Sequence, residues 1–100
     1  MEMQKLVDGA KATIVLSGKL TVQTAPELEE AIGSLASAVA DVSIDLTDVE
    51  YVSSAGLRVL VGTEKLARSR GGQLRLLHPQ DSVMEVFDMT GLSMVLTIER

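Results

Sequence analysis

Asp45-Leu-Thr-Asp-Val-Glu-Tyr-Val-Ser-Ser-Ala-Gly-Leu-Arg-Val-Leu-Val61 is the stretch whose reading decides the fold. It begins in an alternating run, with Val42, Ile44 and Leu46 apolar and Ser43 and Asp45 polar. That period of two is the mark of a strand with one apolar and one polar face. A polar turn around Asp48 follows. Then Leu57, Leu60, Val61 and Ala67 recur at helical spacing, with Val59 and Leu66 widening the stripe. Ser53 and Ser54 stand between the two patterns, at the mouth of the helix.

Working outward from this junction, the same alternation continues on both sides. Upstream, Met3 to Val7 reads as a strand, and Asp8-Gly9 is a hairpin signal. Ala12 to Ser17 forms the second strand of the hairpin, and Gly18-Lys19-Leu20-Thr21 leaves the sheet as a loop. Thr24-Ala-Pro-Glu27 opens a helix, with Thr24 and Glu27 at capping-box spacing and Pro26 in the first turn. Leu28, Ile32, Leu35 and Val39 are its buried stripe. Downstream, Gly62 sits inside the second helix at a cost of about 1 kcal/mol against alanine, which predicts close approach of another backbone. Gly71-Gly72 stops that helix. Gln73 to Leu77 is a strand, and His78-Pro79 ends it. A short helix turns Val83, Val86 and Phe87 inward and stops at Gly91. Met94 to Ile98 is the last strand, with Met94, Leu96 and Ile98 on one face.

The order is β-β-α-β-α-β-α-β. This predicts an α/β fold: a mixed, mostly parallel sheet of about five strands with three main helices. Alternation within the strands predicts that one sheet face is less covered than the other. No linker, repeat or low-complexity tract divides residues 1–100, so a single domain is expected.

Composition excludes several function classes. The chain has 100 residues, 46% of them apolar, and only Tyr51 and Phe87 are aromatic. The core is therefore aliphatic. There is no cysteine, which removes disulfides, thiolate metal sites and cysteine nucleophiles. The net charge is −5 and the nine Lys and Arg residues are scattered, with a loose group at Lys65, Arg68 and Arg70. Nucleic acid is not the expected partner, because phosphate neutralisation needs a basic face. No apolar run approaches the ~18 residues of a membrane span, and Met1 to Gly9 is too polar for a signal peptide. No direct membrane insertion and a cytoplasmic location are expected.

The residues do not suggest an enzyme. There is neither a dinucleotide fingerprint nor a P-loop lysine motif. His78 is the only histidine, and beside a proline it reads as a cap or surface residue rather than a catalytic base. Asp45, Asp48 and Glu50 are close in sequence, but no loop glycine makes them converge on a cation. Asp48 reads instead as a stabiliser of the turn. No metal and no cofactor are expected. The serines remain: Ser54 fits the helix-capping role, and a regulatory role is the other reading. A phosphate there would meet helical N–H groups and the positive end of the dipole. Gly56 leaves room for a partner's backbone. Arg58 lies in the first turn against the dipole preference, either paired with Asp48 or Glu50 or displayed for a partner.

Asp45-Leu-Thr-Asp48, followed by Val52-Ser-Ser-Ala-Gly-Leu57, resembles the STAS-domain anti-sigma factor antagonists of bacteria. Gly18-Lys19-Leu20, Thr24-Ala25, Gly71-Gly72 and Phe87-Asp88-Met89-Thr90-Gly91-Leu92 resemble further parts of that family, so the match covers nearly the whole chain. The resemblance implies partner switching. The unphosphorylated protein binds an anti-sigma factor that is also a serine kinase of the histidine-kinase-like ATPase fold, which frees the kinase's target. Phosphorylation abolishes binding, and a PP2C-type phosphatase resets the switch. The family's acceptor lies two residues before the motif glycine. That falls on Ser54, with Ser53 as second choice, and the implied partner surface is Thr21, Thr24, Ser53, Ser54, Ala55, Gly56 and Arg58. Many members carry Asp where this chain has Ser53 and Thr21. The alternative within the family is a regulatory subunit of a lipid-trafficking ABC-type transport system, or a constitutive protein-binding module.

Overall fold

The computed structural model describes residues 1–100. They form β1 (Glu2–Asp8), β2 (Lys11–Leu20), α1 (Ala25–Gly33), β3 (Asp41–Val52), α2 (Ser54–Ser69), β4 (Leu74–Leu77), α3 (Asp81–Thr90), a 3-10 turn at Leu92–Met94 and β5 (Thr97–Glu99). The strands lie side by side in chain order, β1-β2-β3-β4-β5. β1 and β2 pair antiparallel, with Asp8 opposite Lys11 across the hairpin. β2, β3, β4 and β5 are parallel. The mixed, mostly parallel α/β sheet read from the sequence is the one the chain forms.

Strand order in chain order has a physical consequence. Every parallel crossover steps in the same direction, and with the right-handed connection that such crossovers favour, all three helices fall on one side. Ile14, Leu16, Ile44, Leu46, Leu74 and Leu76 face that side. They join Leu28, Leu60 and Phe87 of the three helices in one core cluster. The other face carries Thr13, Val15, Ser43, Asp45, Arg75 and Leu77, all only half-buried. There Arg75 meets Asp41 at 4.0 Å and Glu99 at 3.4 Å. Asp45 accepts hydrogen bonds from the Thr47 hydroxyl at 2.6 Å and the Thr47 N–H at 3.0 Å. The hydroxyl bond first, then the backbone bond, holds the Asp45 carboxyl below the usual carboxylate range. Partial burial opposes this, and His78 adds a smaller lowering.

Several boundaries differ from the sequence reading. β3 continues past Leu46 to Val52, and β2 continues past Ser17 to Leu20. Asp48 is therefore in a strand, opposite Ser17, and supports no turn. Register shifts between Val15 and Ser17 and between Gly18 and Lys19 place extra residues in β3. Such bulges bend and twist the strand. They return Val49 and Val52 to the core face, where both are buried, while Thr47, Asp48, Glu50 and Tyr51 stay exposed.

The helices show comparable differences. α1 ends at Gly33, so Leu35 and Val39 are buried from the segment after it. The Thr24–Glu27 capping box does not form, because the Thr24 hydroxyl accepts from the Thr21 N–H and donates to the Lys19 carbonyl, both at 2.8 Å. In α2, Val61 is only half-buried, and Thr63 and Glu64 occupy the buried face instead. Thr63 donates to the Val59 carbonyl at 2.7 Å. Glu64 Oε1 accepts from Arg68 at 2.6 Å, while its buried Oε2 has no partner. Met94 is in the 3-10 turn and exposed, not on the last strand. No helix is long and apolar enough to cross a membrane.

Two glycines have opposite grounds. A Cβ on Gly72 would collide with the backbone carbonyl of Ala40, so the turn after α2 depends on its absence. A Cβ on Gly62 would meet nothing within 4 Å, which overturns the expected close approach of another backbone. Gly72→Ala is expected to cost roughly 1–3 kcal/mol by overpacking, and Gly62→Ala to stabilise by about 0.5–1 kcal/mol through helix propensity. Urea denaturation of both variants checks the pair.

The depressed Asp45 carboxyl gives a sign for acid stability. A folded-state pKa below the unfolded one contributes stability above the unfolded value and loses it as pH falls through the folded value. Thr47→Val removes the hydroxyl donor and keeps the branched shape. Its stability is expected to fall less steeply than wild type below about pH 4, measured by acid titration of the denaturation midpoint.

Candidate functional site

The bulged pairing brings the ends of β2 and β3 level, with Leu20 opposite Val52. The Ser53 N–H then donates to the Leu20 carbonyl at 2.8 Å. This fastens the start of α2 beside the segment that leaves β2. That segment is itself knotted. The Thr21 carbonyl accepts from the N–H groups of Thr24 at 3.2 Å and Ala25 at 2.7 Å, while Thr24 returns a bond to the Thr21 N–H. Thr21, Thr24, Ser53, Ser54, Ala55, Gly56 and Arg58 are thus gathered at the carboxyl ends of two adjacent parallel strands.

The two serines have different roles. Ser53, not Ser54, caps α2: its backbone is extended and its hydroxyl accepts from the Gly56 N–H at 3.2 Å. Its carbonyl takes the Leu57 N–H at 2.9 Å. Ser54 is the first residue of the helix and is exposed. Both carry a side chain able to cap, so only the point where the backbone turns helical separates them.

Gly56 is also explained from within the chain. A Cβ there would lie 2.8 Å from Leu20 Cγ and 3.1 Å from Val52 Cγ1. The helix packs directly on the strand ends, and this replaces the expected partner approach as the reason for the glycine. Arg58 is exposed and forms no ion pair with Asp48 or Glu50, since the ion pairs of the structure all lie elsewhere. It borders a shallow hollow of about 220 Å³ between α1 and α2, with Val22, Pro26, Glu29 and Ala55. Val22 is 70% exposed, a large apolar side chain held out beside the serines. Sequence reasoning missed it because a lone valine in a loop carries no periodic signal.

The other candidates do not assemble. No three acidic or histidine side chains come together to hold a metal ion. His78 is exposed at φ 53°, and its N–H donates to the Glu99 carbonyl at 2.6 Å. It is a strand-end residue.

A profile of the STAS domain matches residues 3–100. The anti-sigma-B factor antagonist of Bacillus subtilis is 40% identical over 83 residues, covering 83% of this chain and 76% of that protein. An anti-sigma factor antagonist from Mycobacterium paratuberculosis superposes with a TM-score of 0.83 at 25% identity, over 98% of this chain and 84% of its own. Bacillus SpoIIAA shares the fold in two states. The unphosphorylated form gives a TM-score of 0.78 at 18% identity, covering 99% of this chain and 88% of its own. The phosphorylated form gives 0.76 at 20% identity, covering 99% and 92%. A family profile across nearly the whole chain, joined to a 40% identical relative that spans most of it, shows that the chain belongs to the STAS domain family, with the anti-sigma factor antagonists.

Proposed function

We infer that the protein is an anti-sigma factor antagonist working by partner switching, with Ser54 as the phosphate acceptor. The unphosphorylated chain binds an anti-sigma factor that is also a serine kinase of the histidine-kinase-like ATPase fold. Phosphorylation by that kinase ends the binding, and a PP2C-type phosphatase restores it. The 40% identity to an anti-sigma-B factor antagonist supports this reading over a transport-system subunit. SpoIIAA, a structural neighbour, has been solved with and without phosphate.

The single observation that carries the acceptor assignment is the division between the serines. The Ser54 side chain is exposed and makes no hydrogen bond, whereas the Ser53 hydroxyl is occupied as the cap. Phosphate on Ser54 sits at the positive end of a 16-residue helix, which favours a charge near −2. Within a protein interface the same charge costs desolvation and meets any acidic group as a repulsion. Serine and aspartate are both strong N-caps, so Ser53 in place of the common aspartate keeps the cap and removes a charge.

Incubation with the cognate kinase and ATP, followed by phosphopeptide mapping, tests the reading. Label is expected at Ser54 in wild type and absent from Ser54→Ala. Ser53→Ala is expected to remain labelled while losing about 1 kcal/mol of stability with its cap. Ser54→Asp should weaken kinase binding. Label confined to Ser53 would move the acceptor, and no label at either serine would sink the switch.

A further inference from the structure

Four of the five arginines have an internal partner. Arg68 pairs with Glu64, Arg75 with Asp41 and Glu99, and Arg100 with Asp81. Arg70 donates to the carbonyls of Ala36 and Val39, each at 3.1 Å. Arg58 alone has none, although Glu29 borders the same hollow. With Ser53 as the cap and Ser54 the first helical residue, Arg58 falls just past the first turn of α2 rather than in it, and near that end of the helix the dipole offers a cation nothing. Neither an ion pair nor the dipole accounts for an arginine at this position.

Its place relative to Ser54 does. Residues four apart on a helix share a face, with Cβ atoms about 5–6 Å apart. An acid placed before a base at that spacing is the favoured order. Resting on Ser54 as the acceptor, we propose that Arg58 is the intramolecular counter-charge of the phosphorylated serine. The guanidinium takes two phosphate oxygens in the forked geometry that arginine makes with such groups. Phosphorylation then changes the surface in two ways at once. It adds an anion, and it withdraws from the partner a cation that the unmodified chain displays beside Val22 and Ala55.

The pairing is tested without a kinase by building phosphoserine into position 54 through genetic encoding or peptide ligation. The phosphate is then titrated by phosphorus NMR at low ionic strength. Its second ionisation, ordinarily near pH 6, is expected about 0.5 pH unit lower in wild type than in Arg58→Gln, roughly a threefold change in proton affinity. Arg58→Lys should fall between them, because a point charge attracts without the fork. The difference should shrink at 1 M salt, where exposed charges are screened within about 3 Å. Superimposable titrations of wild type and Arg58→Gln overturn the proposal. Because the phosphate is placed chemically, that outcome stands apart from a failure of the kinase to label Ser54.

Discussion

The hydrogen bond from the Ser53 N–H to the Leu20 carbonyl is the last tie between β2 and β3 and the first of the site. Its own contribution is about 1 kcal/mol, as for other backbone bonds. Its importance is positional. Leu20 is fully buried and packs against the Cα of Gly56. The end of the sheet and the start of α2 are therefore closed against each other, with no room for a methyl group between them. The bulges in β3 make this possible. Without the extra residues, a strict period of two would turn Val49 outward and carry Ser53 away from Leu20. The threonine knot at Thr21 and Thr24 then holds the neighbouring segment at a fixed height beside the serines.

Strand order explains why the candidate site gathers at that edge. With every crossover stepping the same way, the helices crowd one face and the loops after β2 and β3 emerge together at the carboxyl edge. The chain thus presents at one place a knotted loop, a capped helix start and the hollow between α1 and α2. The reverse face is stabilised differently, by ion pairs around Arg75 and the bonded carboxylate of Asp45. Half-exposed charges of this kind add modestly to stability. The aliphatic core under the helices carries most of it, through burial worth about 1.5–3 kcal/mol for each large side chain.

Alternation of apolar residues was enough to place the strands and helices in order, because β2, β3 and β4 each have only one deeply buried face, while β1, exposed throughout, was marked by the hairpin signal at Asp8-Gly9. It failed in the second half of β3. There Leu46, Val49 and Val52 are spaced by three, which is the pattern of a bulged strand and also of a turn followed by a helix. The polar run between them reads as a turn. Thr63 and Glu64 were illegible on the buried face of α2 for a related reason. Their burial rests on bonds to Val59 and Arg68, which are local contacts that a hydropathy pattern does not encode. The gathering of the candidate positions at one edge was legible, but the separate structural roles of Ser53 and Ser54 depend on a one-residue choice of where the helix begins.

That one-residue choice governs what a phosphate could do to the fold. On Ser53 it would alter a half-buried hydroxyl and compete for the Gly56 N–H, loosening the helix at its first turn. On Ser54 it would remove no hydrogen bond and would add negative charge where the dipole welcomes it. The folded chain would then be preserved, and the change in binding would have to arise at the surface the partner touches. For a switch at Ser54, Ser53 would thus be as necessary as Ser54 itself. By holding the cap, it leaves its neighbour's hydroxyl free of structural duty, and a residue free of structural duty is one that can be modified without unfolding the helix that presents it.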